Sequence, residues 1–338
     1  MIAPAGHRLF RDLCLGARST ILTTHVNPDG DALGSQLGLA RFLADRGRKV
    51  RIVNPDPTPD NLRFLEAHGP VVEVYDRASH DDALRDVELL VLVDNAAPDR
   101  LGRMEDALVA AAGHTLCIDH HPTRGTPWAY QILDEESCAT AMMVYELARA
   151  CDWVPERAAA EALYVGLATD TGFFRFNSTS VRAHEVAAEL LARGVAPARV
   201  YQAIHERNSL AYTRLLGHAL AELTLDAGGA IAVVALPLAL VRSLGAEEVD
   251  AGEAATSLLA VDGVVVALLF RELAEGRVKV SLRSKAGFDV HRLAGEFGGG
   301  GHRNASGIVM SGGLDAVRRA VVERAGAALA AGRAGKGR

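Results

Sequence analysis

The sequence predicts an α/β fold: a doubly wound domain on a mainly parallel sheet, joined by a helical linker to a smaller α/β domain. Three observations carry this expectation. Short apolar, β-branched runs alternate with stretches of helical periodicity through the first half of the chain, as parallel strands linked by crossover helices require. One of these runs, Glu88-Leu89-Leu90-Val91-Leu92-Val93, is apolar almost throughout, as befits a central strand covered on both faces. The composition then changes at Asp226-Ala227-Gly228-Gly229, beyond which strand-like runs predominate.

The elements follow in order. A buried strand is expected over residues 20–24, ending on His25. Leu33, Leu37, Phe42 and Leu43 form a helical stripe over 32–46, with Gly47 as its stop. Strands are expected at 49–53 and 71–75, then at 88–93, ending on Asp94, and at 115–118, ending on Asp119. Helices are expected at 139–150, 157–167, 183–191 and 210–223. In the second domain, strands are expected at 230–236, 264–270 and 278–282, the last two joined by the turn Ala274-Glu275-Gly276. A strand near 306–310 and an alanine-rich helix over 314–331 complete it. The expected boundaries are 1–190 for the first domain, 191–226 for the helical linker, 227–332 for the second domain and 333–338 for a disordered basic tail. No internal repeat is visible.

Composition narrows the function. With 338 residues, 49% hydrophobic and 23% charged, the chain reads as a soluble globular protein with room for two cores. Lys plus Arg number 36 against 42 Asp plus Glu, so the net charge of −6 supplies no global field for gripping a long nucleic acid. An anionic substrate must then be met by a local basic site or by metal ions, which favours short substrates. Cys14, Cys117, Cys138 and Cys151 lack zinc-type spacing and are too few for a disulfide framework; they read as small buried residues in a reducing cytoplasm. No secretory signal and no apolar run near the ~20 residues of a membrane span is evident, so no membrane role is expected.

Taken singly, the acidic and imidazole residues have ordinary readings. Asp31, just ahead of a helix, reads as an N-cap, and Asp29 in Pro28-Asp29-Gly30 as a turn residue. Asp94 could cap a turn, and His25 or His120 could be hydrogen-bonded histidines. The set reads differently. His25-Val26-Asn27-Pro28-Asp29-Gly30-Asp31, Val93-Asp94-Asn95, Asp119-His120-His121 and Ala168-Thr169-Asp170-Thr171-Gly172 each follow an expected strand or helix. In a doubly wound sheet, ligand sites gather beyond the carboxyl ends of the strands. Carboxylates collected there with imidazoles are costly unless a cation neutralises them. Such mixed ligation suits Mn²⁺, ahead of Mg²⁺ and Zn²⁺. Two such ions ~3.5–4 Å apart clamp a phosphoryl group during in-line attack, so the pattern points to two-metal phosphoester hydrolysis. Asp94 is the best candidate for the bridging carboxylate, and His121, beside a ligand, for a supporting or substrate-facing role. Asp170 stands in a single Asp-Thr-Gly and reads as a further metal carboxylate rather than half of an aspartic-protease pair.

The second domain carries its own signal. The glycines of Gly298-Gly299-Gly300-Gly301-His302 allow close backbone approach to a phosphate, and their amides could form an anion-binding concavity. His302, Arg303 and the run Ser281-Leu282-Arg283-Ser284-Lys285 add donors, arginine being suited to phosphate by its planar fork. Lys285 reads as a surface charge. Phe173, Phe174 and Phe176 could offer a base-stacking face, with core packing expected for at least one. His7, His68, His80, His114, His184, His205, His218 and His291 fit no motif and are expected at surface or helix positions, with His205 and His218 of interest if they approach the site.

These motifs resemble those of the DHH phosphoesterase superfamily, named for the triplet at Asp119-His120-His121. All four of its N-terminal motifs are matched in order, and Gly298-Gly299-Gly300-Gly301-His302 with Arg303-Asn304-Ala305-Ser306-Gly307 resembles its C-terminal DHHA1 domain, so the resemblance spans nearly the whole chain. It implies one metal on His25, Asp29 and Asp94, and a second on Asp31, Asp94, His120 and Asp170. It further implies two divalent ions, usually Mn²⁺ with Mg²⁺ as the alternative, and a metal-bridging water as nucleophile. His121 would support the cluster or approach the scissile phosphate. Arg283, Gly300, Gly301, His302 and Arg303 would bind substrate across a cleft between the domains. A stand-alone chain of this layout resembles the nanoRNase/pAp-phosphatase group, which implies hydrolysis of very short oligoribonucleotides to 5′-mononucleotides and dephosphorylation of pAp to AMP. Its partners would be short RNA and nucleotide phosphates, with exposed helical faces compatible with a homodimer. A cyclic di-AMP or linear dinucleotide phosphodiesterase shares this chemistry. A RecJ-like single-strand DNA exonuclease is disfavoured because no added nucleic-acid-binding domain is visible. The superfamily's pyrophosphatases carry a different C-terminal domain, and a non-catalytic nucleotide sensor is disfavoured because no ligand is missing.

Overall fold

The computed structural model describes residues 2–122, 125–285 and 287–335. The chain divides into two compact units, residues 1–207 and 208–338, the division falling inside the segment expected to be a linker. In the first unit α1 (Pro4–Gly16), β1 (Ser19–Thr23), α2 (Gly30–Asp45), β2 (Lys49–Asn54) and β3 (Val72–Val74) are followed by α3 (Arg77–Asp86) and β4 (Leu89–Val93). Then come α4 (Glu105–Ala110), β5 (Thr115–Asp119), β6 (Tyr130–Leu133), α5 (Thr140–Arg149), α6 (Arg157–Asp170), α7 (Val181–Leu191) and α8 (Pro197–His205).

The sheet has the order β3-β2-β1-β4-β5-β6, with every neighbouring pair parallel. The expected doubly wound domain is therefore present. The chain winds outward from β1 to β3 and then returns to lay β4 against the other side of β1, and this reversal opens the ligand crevice of such folds. The apolar run of β4 is explained by its two covered faces. Leu89, Val91 and Val93 join the core under α2, α5 and α6, while Leu90 and Leu92 join a second core under α3 and α4.

The helix α2 is buried on nearly every side and lies antiparallel against α6. The two backbones touch because Gly34 has no side chain. A Cβ there would collide with the Ala162 carbonyl oxygen and lie 2.9 Å from the Gly166 nitrogen. This contact sets Asp31, in the first turn of α2, beside the carboxyl end of α6, where Asp170 is the last residue.

The elements α1, α3, α4 and β6 were not expected from the sequence. The helix α3 buries only His80 and Leu84, too few for a stripe, and is started by Asp76, whose side chain accepts from Ser79 N. The edge strand β6 buries only Ile132, so it lacks both the continuous and the alternating pattern.

The second unit contains α9 (Leu210–Ala221), β7 (Thr224–Asp226), β8 (Ile231–Leu236), α10 (Leu238–Ser243), α11 (Ala254–Leu258) and β9 (Val266–Leu273). It continues through β10 (Arg277–Ser284), α12 (Val290–Gly295), β11 (Gly300–His302), β12 (Ala305–Ser311) and α13 (Leu314–Gly335). Its sheet has the order β11-β12-β10-β9-β8-β7, parallel only between β8 and β9. Val278, Val280 and Leu282 of β10 face α12 and α13. On the opposite face the core under α9, α10 and α11 takes in β8 and β9 and stops there. The final helix runs past its expected end, through Gly335; residues 336–338 of the expected tail lie outside the described residues. All four cysteines are buried, and no helix among the described residues is long and apolar enough to cross a membrane.

Gly34→Ala should destabilise the chain by about 1–3 kcal/mol, because an inserted methyl meets fixed backbone. Gly217→Ala, in α9 where an added Cβ meets nothing within 4 Å, should stabilise it by about 0.5–1 kcal/mol. Urea denaturation of both variants checks this, and an unchanged midpoint for Gly34→Ala would refute the close-contact account.

Candidate metal centre

Each expected ligand sits where an element ends. His25 lies just beyond β1, and the turn to α2 is shaped by Asn27, with φ 52°, whose amide donates to Asp56 Oδ2 at 2.8 Å. The helix cap is Asp29, not Asp31: its Oδ1 accepts from Asp31 N at 3.0 Å and Ala32 N at 3.1 Å. Asp29 thus takes the capping role read for Asp31, which lies within the first turn of α2, because the chain enters its helix two residues earlier than the periodicity suggests. Asp94 follows β4 with a left-handed φ of 59°, Asp119 closes β5, and Asp170 ends α6.

The structure brings all six expected ligands together. His25 Nε2 lies 3.6 Å from Asp94 Oδ2 and 3.9 Å from Asp29 Oδ2. His120 Nε2 lies 3.2 Å from Asp170 Oδ2, 3.6 Å from Asp94 Oδ1 and 3.8 Å from Asp31 Oδ2. The two oxygens of Asp94 therefore face two different imidazoles. In each of the sets His25/Asp29/Asp94, Asp31/His120/Asp170 and Asp94/His120/His121, one ligand atom per residue lies within 4.8 Å of the others.

The hydrogen bonds of the imidazoles test whether cations fit. His25 Nδ1 donates to the Val26 carbonyl at 2.7 Å, and His120 Nδ1 to the Ser137 carbonyl at 3.1 Å. Each Nε2 consequently presents a lone pair, and both Nε2 atoms are buried without a hydrogen-bond partner. They face carboxylate oxygens, lone pair toward lone pair. Burial and the neighbouring carboxylates Asp94, Asp170 and Asp29 push Asp31 well above the usual carboxylate range. Burial, then the charge of Asp29, does the same to Asp94. Asp170 is raised chiefly by burial, and burial lowers His25, favouring its neutral form. Divalent cations among these atoms would relieve all four strains, and the oxygen and imidazole donors suit them.

The amino end of α5 holds the same cluster from the other side. Asp31 Oδ2 accepts from Thr140 N at 2.6 Å and Oδ1 from Ala141 N at 2.8 Å, placing an anion where unpaired helix amides favour one. Thr140 Oγ1 donates to Asp94 Oδ1 at 3.0 Å. Sequence reasoning missed Thr140, although Ser137 and Thr140 ahead of an apolar helix are a capping signal that could have marked an anion-holding helix start. It also missed Arg100, half-buried after β4. The carbonyl of Arg100 accepts from Val26 N at 2.8 Å, and its charge opposes protonation of both His25 and His121.

Within the triplet the roles separate. Asp119 accepts from His121 Nδ1 at 2.8 Å and His121 N at 3.1 Å. Burial would raise Asp119, but these bonds hold it below the usual range. The same hydrogen bond, against burial and with help from the Asp94 charge, pushes His121 up to about 9. Asp119 thus orients His121, while His120 faces the carboxylates.

In the second unit Arg283 pairs across the sheet with Ala305, and Ala305 with His302, so Arg283 and His302 share one face with a single strand between them. Gly300 and Gly301 lie with His302 in the edge strand β11, where a cradle-like loop was expected. A Cβ on Gly301, whose φ is 138°, would fall 2.6 Å from the Ala305 carbonyl oxygen, so glycine is what lets β11 pair with β12. Arg303 is exposed, and its carbonyl accepts from Val290 N at 2.8 Å at the start of α12. Lys285 is exposed, as expected. Phe173 and Phe174 pack on the first core, against Tyr201 and His205 and against Tyr164 and His184 respectively; Phe176 remains 49% exposed. His218 is exposed on α9.

Mn²⁺ should raise the melting temperature of chelator-treated protein in a concentration-dependent way, by the equivalent of about 2.7 kcal/mol at 100 times the dissociation constant. Asp94→Asn should remove most of that gain. Identical melting in EDTA and in saturating Mn²⁺ would argue against a metal centre.

Comparison with known proteins agrees with this geometry. Residues 19–167 match the DHH family, N-terminal domain, and residues 228–330 match the DHHA1 domain. The chain is 36% identical over 293 residues to the bifunctional oligoribonuclease and PAP phosphatase NrnA of Thermus thermophilus, covering 86% of this chain and 84% of that one. It is 27% identical over 290 residues to the protein of the same name from Bacillus subtilis, covering 85% and 88%. Among solved structures it is similar to an exopolyphosphatase-related protein from Bacteroides fragilis, with a TM-score of 0.84 and 29% identity over 96% of both chains. With both domains matched in order, and a relative this similar along most of its length, the chain belongs to the DHH/DHHA1 phosphoesterase superfamily and is NrnA-like within it.

Proposed function

We propose that this chain is a metal-dependent phosphoesterase that hydrolyses very short oligoribonucleotides to 5′-mononucleotides and dephosphorylates pAp to AMP. The observation that carries the reading is Asp94, whose two oxygens face two separate imidazole and carboxylate groups, in a chain 36% identical to a bifunctional oligoribonuclease and PAP phosphatase. One divalent ion is assigned to His25, Asp29 and Asp94, and a second to Asp31, Asp94, His120 and Asp170, with Mn²⁺ ahead of Mg²⁺. When bound, such ions would supply Lewis acidity toward the phosphoryl oxygens and would lower the pKa of an attacking water.

The remaining chemistry belongs to the chain. Nδ1 of His121 donates to Asp119, and in the protonated ring that this bond favours Nε2 is a second donor, suited to hydrogen-bond a phosphoryl or leaving-group oxygen as negative charge develops. Asp119 keeps that ring oriented and favours its protonated form. In the second domain, Arg283 and His302, on one sheet face, are assigned to the substrate phosphate, with Arg303 as a further cation. Gly300 and Gly301, without side chains, leave the backbone of β11 open to close approach. The net charge of −6 supports short substrates, since a long strand calls for an extended basic track.

The test supplies Mn²⁺ and compares two- to five-nucleotide RNA, pAp, cyclic di-AMP and a long single strand. Fastest turnover on the short RNA, with pAp also cleaved, is the expected result; preference for the long strand or for cyclic di-AMP would overturn it. Asp94→Ala should abolish hydrolysis of every substrate, and retained activity would refute the shared-ligand assignment. Arg283→Ala should cost about 1.5–3 kcal/mol in kcat/KM through lost charge-assisted hydrogen bonds, at unchanged metal content.

A further inference from the structure

We propose that Thr140 is a positioning residue that fixes Asp94 as the bridge and, with the turn before it, builds the His120-side metal site selectively; this rests on the two-metal reading above. Asp94 must offer one oxygen to each side, yet a carboxylate rotates readily about its last bond. Among the described residues, the hydrogen bond from Thr140 Oγ1 at 3.0 Å is the only one its side chain receives. Thr140 is completely buried, so it meets no substrate, and its β-branched side chain at a helix start has few rotamers to choose from.

The same short segment touches the other His120-side ligands. The Ser137 carbonyl accepts from His120 Nδ1, leaving Nε2 directed at the carboxylates. The amides of Thr140 and Ala141 each take one oxygen of Asp31. Residues 137–141 therefore hold three of the four ligands assigned to that ion. On the other side, His25 is oriented by its own neighbour Val26 and Asp29 by the amides of α2. The two half-sites share Asp94 but otherwise rest on different supports, and Thr140 bonds the Asp94 oxygen that faces His120 rather than the one that faces His25. Removing its hydroxyl should loosen the His120-side ion by the 10–100-fold typical of an outer-sphere partner, while the His25-side ion stays close to its original affinity.

The experiment titrates metal-free wild type, Thr140→Val and Thr140→Ser with Mn²⁺, reading free Mn²⁺ by electron paramagnetic resonance and binding heats by calorimetry. Wild type should bind two equivalents. Thr140→Val, matched in shape, should keep one and bind the other 10–100-fold more weakly, with kcat at low Mn²⁺ reduced, KM unchanged and the loss recovered at high Mn²⁺. Thr140→Ser should restore the second site. Wild-type affinities for both equivalents in Thr140→Val would overturn the proposal. So would a Ser variant as weak as the Val variant, since the position would then matter for packing alone. If Thr140→Val melts well below wild type without metal, Thr140→Ala takes its place under the same criteria. A wild type that binds fewer than two equivalents would refute the two-metal reading itself, and with it this inference.

Discussion

The centre of the first domain depends on how closely two helices can approach. The backbone of α2 rests on that of α6 at Gly34, and this contact brings the first turn of one to the last turn of the other. Asp31 and Asp170 reach the same point for that reason. The arrangement is electrostatically uneven. Asp31 lies among amides at helix starts, which favour a negative charge, whereas Asp170 ends a helix, where the dipole opposes one. A cation on the Asp170 side would offset a cost that helix geometry cannot.

The carboxylates also serve the fold before they serve any ligand. Asp29 uses one oxygen to cap α2 and turns the other toward His25. Asp31 ties α2 to α5 through two amides. Asp94 has its amide bonded to the Ile118 carbonyl of β5 and its side chain to Thr140. Each of these three carboxylates is thus tied to a neighbouring element, Asp29 to α2, Asp31 to α5, and Asp94 to β5 and α5. The reversal in strand order between β1 and β4 supplies the space into which these side chains point.

Much of this was legible in the sequence, for physical reasons that differ by element. The strands β1, β4 and β5 are buried on both faces, so their apolar runs announce them, and the polar residue ending each run marks the ligand edge. His25, Asp94 and the triplet were visible in that way. The edge strand β6 and the polar helix α3 bury too little to leave a pattern. Thr140 escaped because its partners lie far away in sequence, and no local period records a hydroxyl aimed at a distant carboxylate. The capping of α2 by Asp29 rather than Asp31 has a local cause: two acids two residues apart compete for one cap, and backbone geometry decides between them.

The contact between Gly34 and Ala162 also constrains the order of events as the chain folds. Most of the first domain lies between these two residues, so loop closure must be completed before the helices can meet. The first strands and α2 can pair earlier from nearer partners, but α6 docks only after its own residues exist and have found α2. During synthesis, the emerging chain carries its early aspartates without the late one. The complete cluster therefore exists only once α6 has docked on α2 and the first domain is closed.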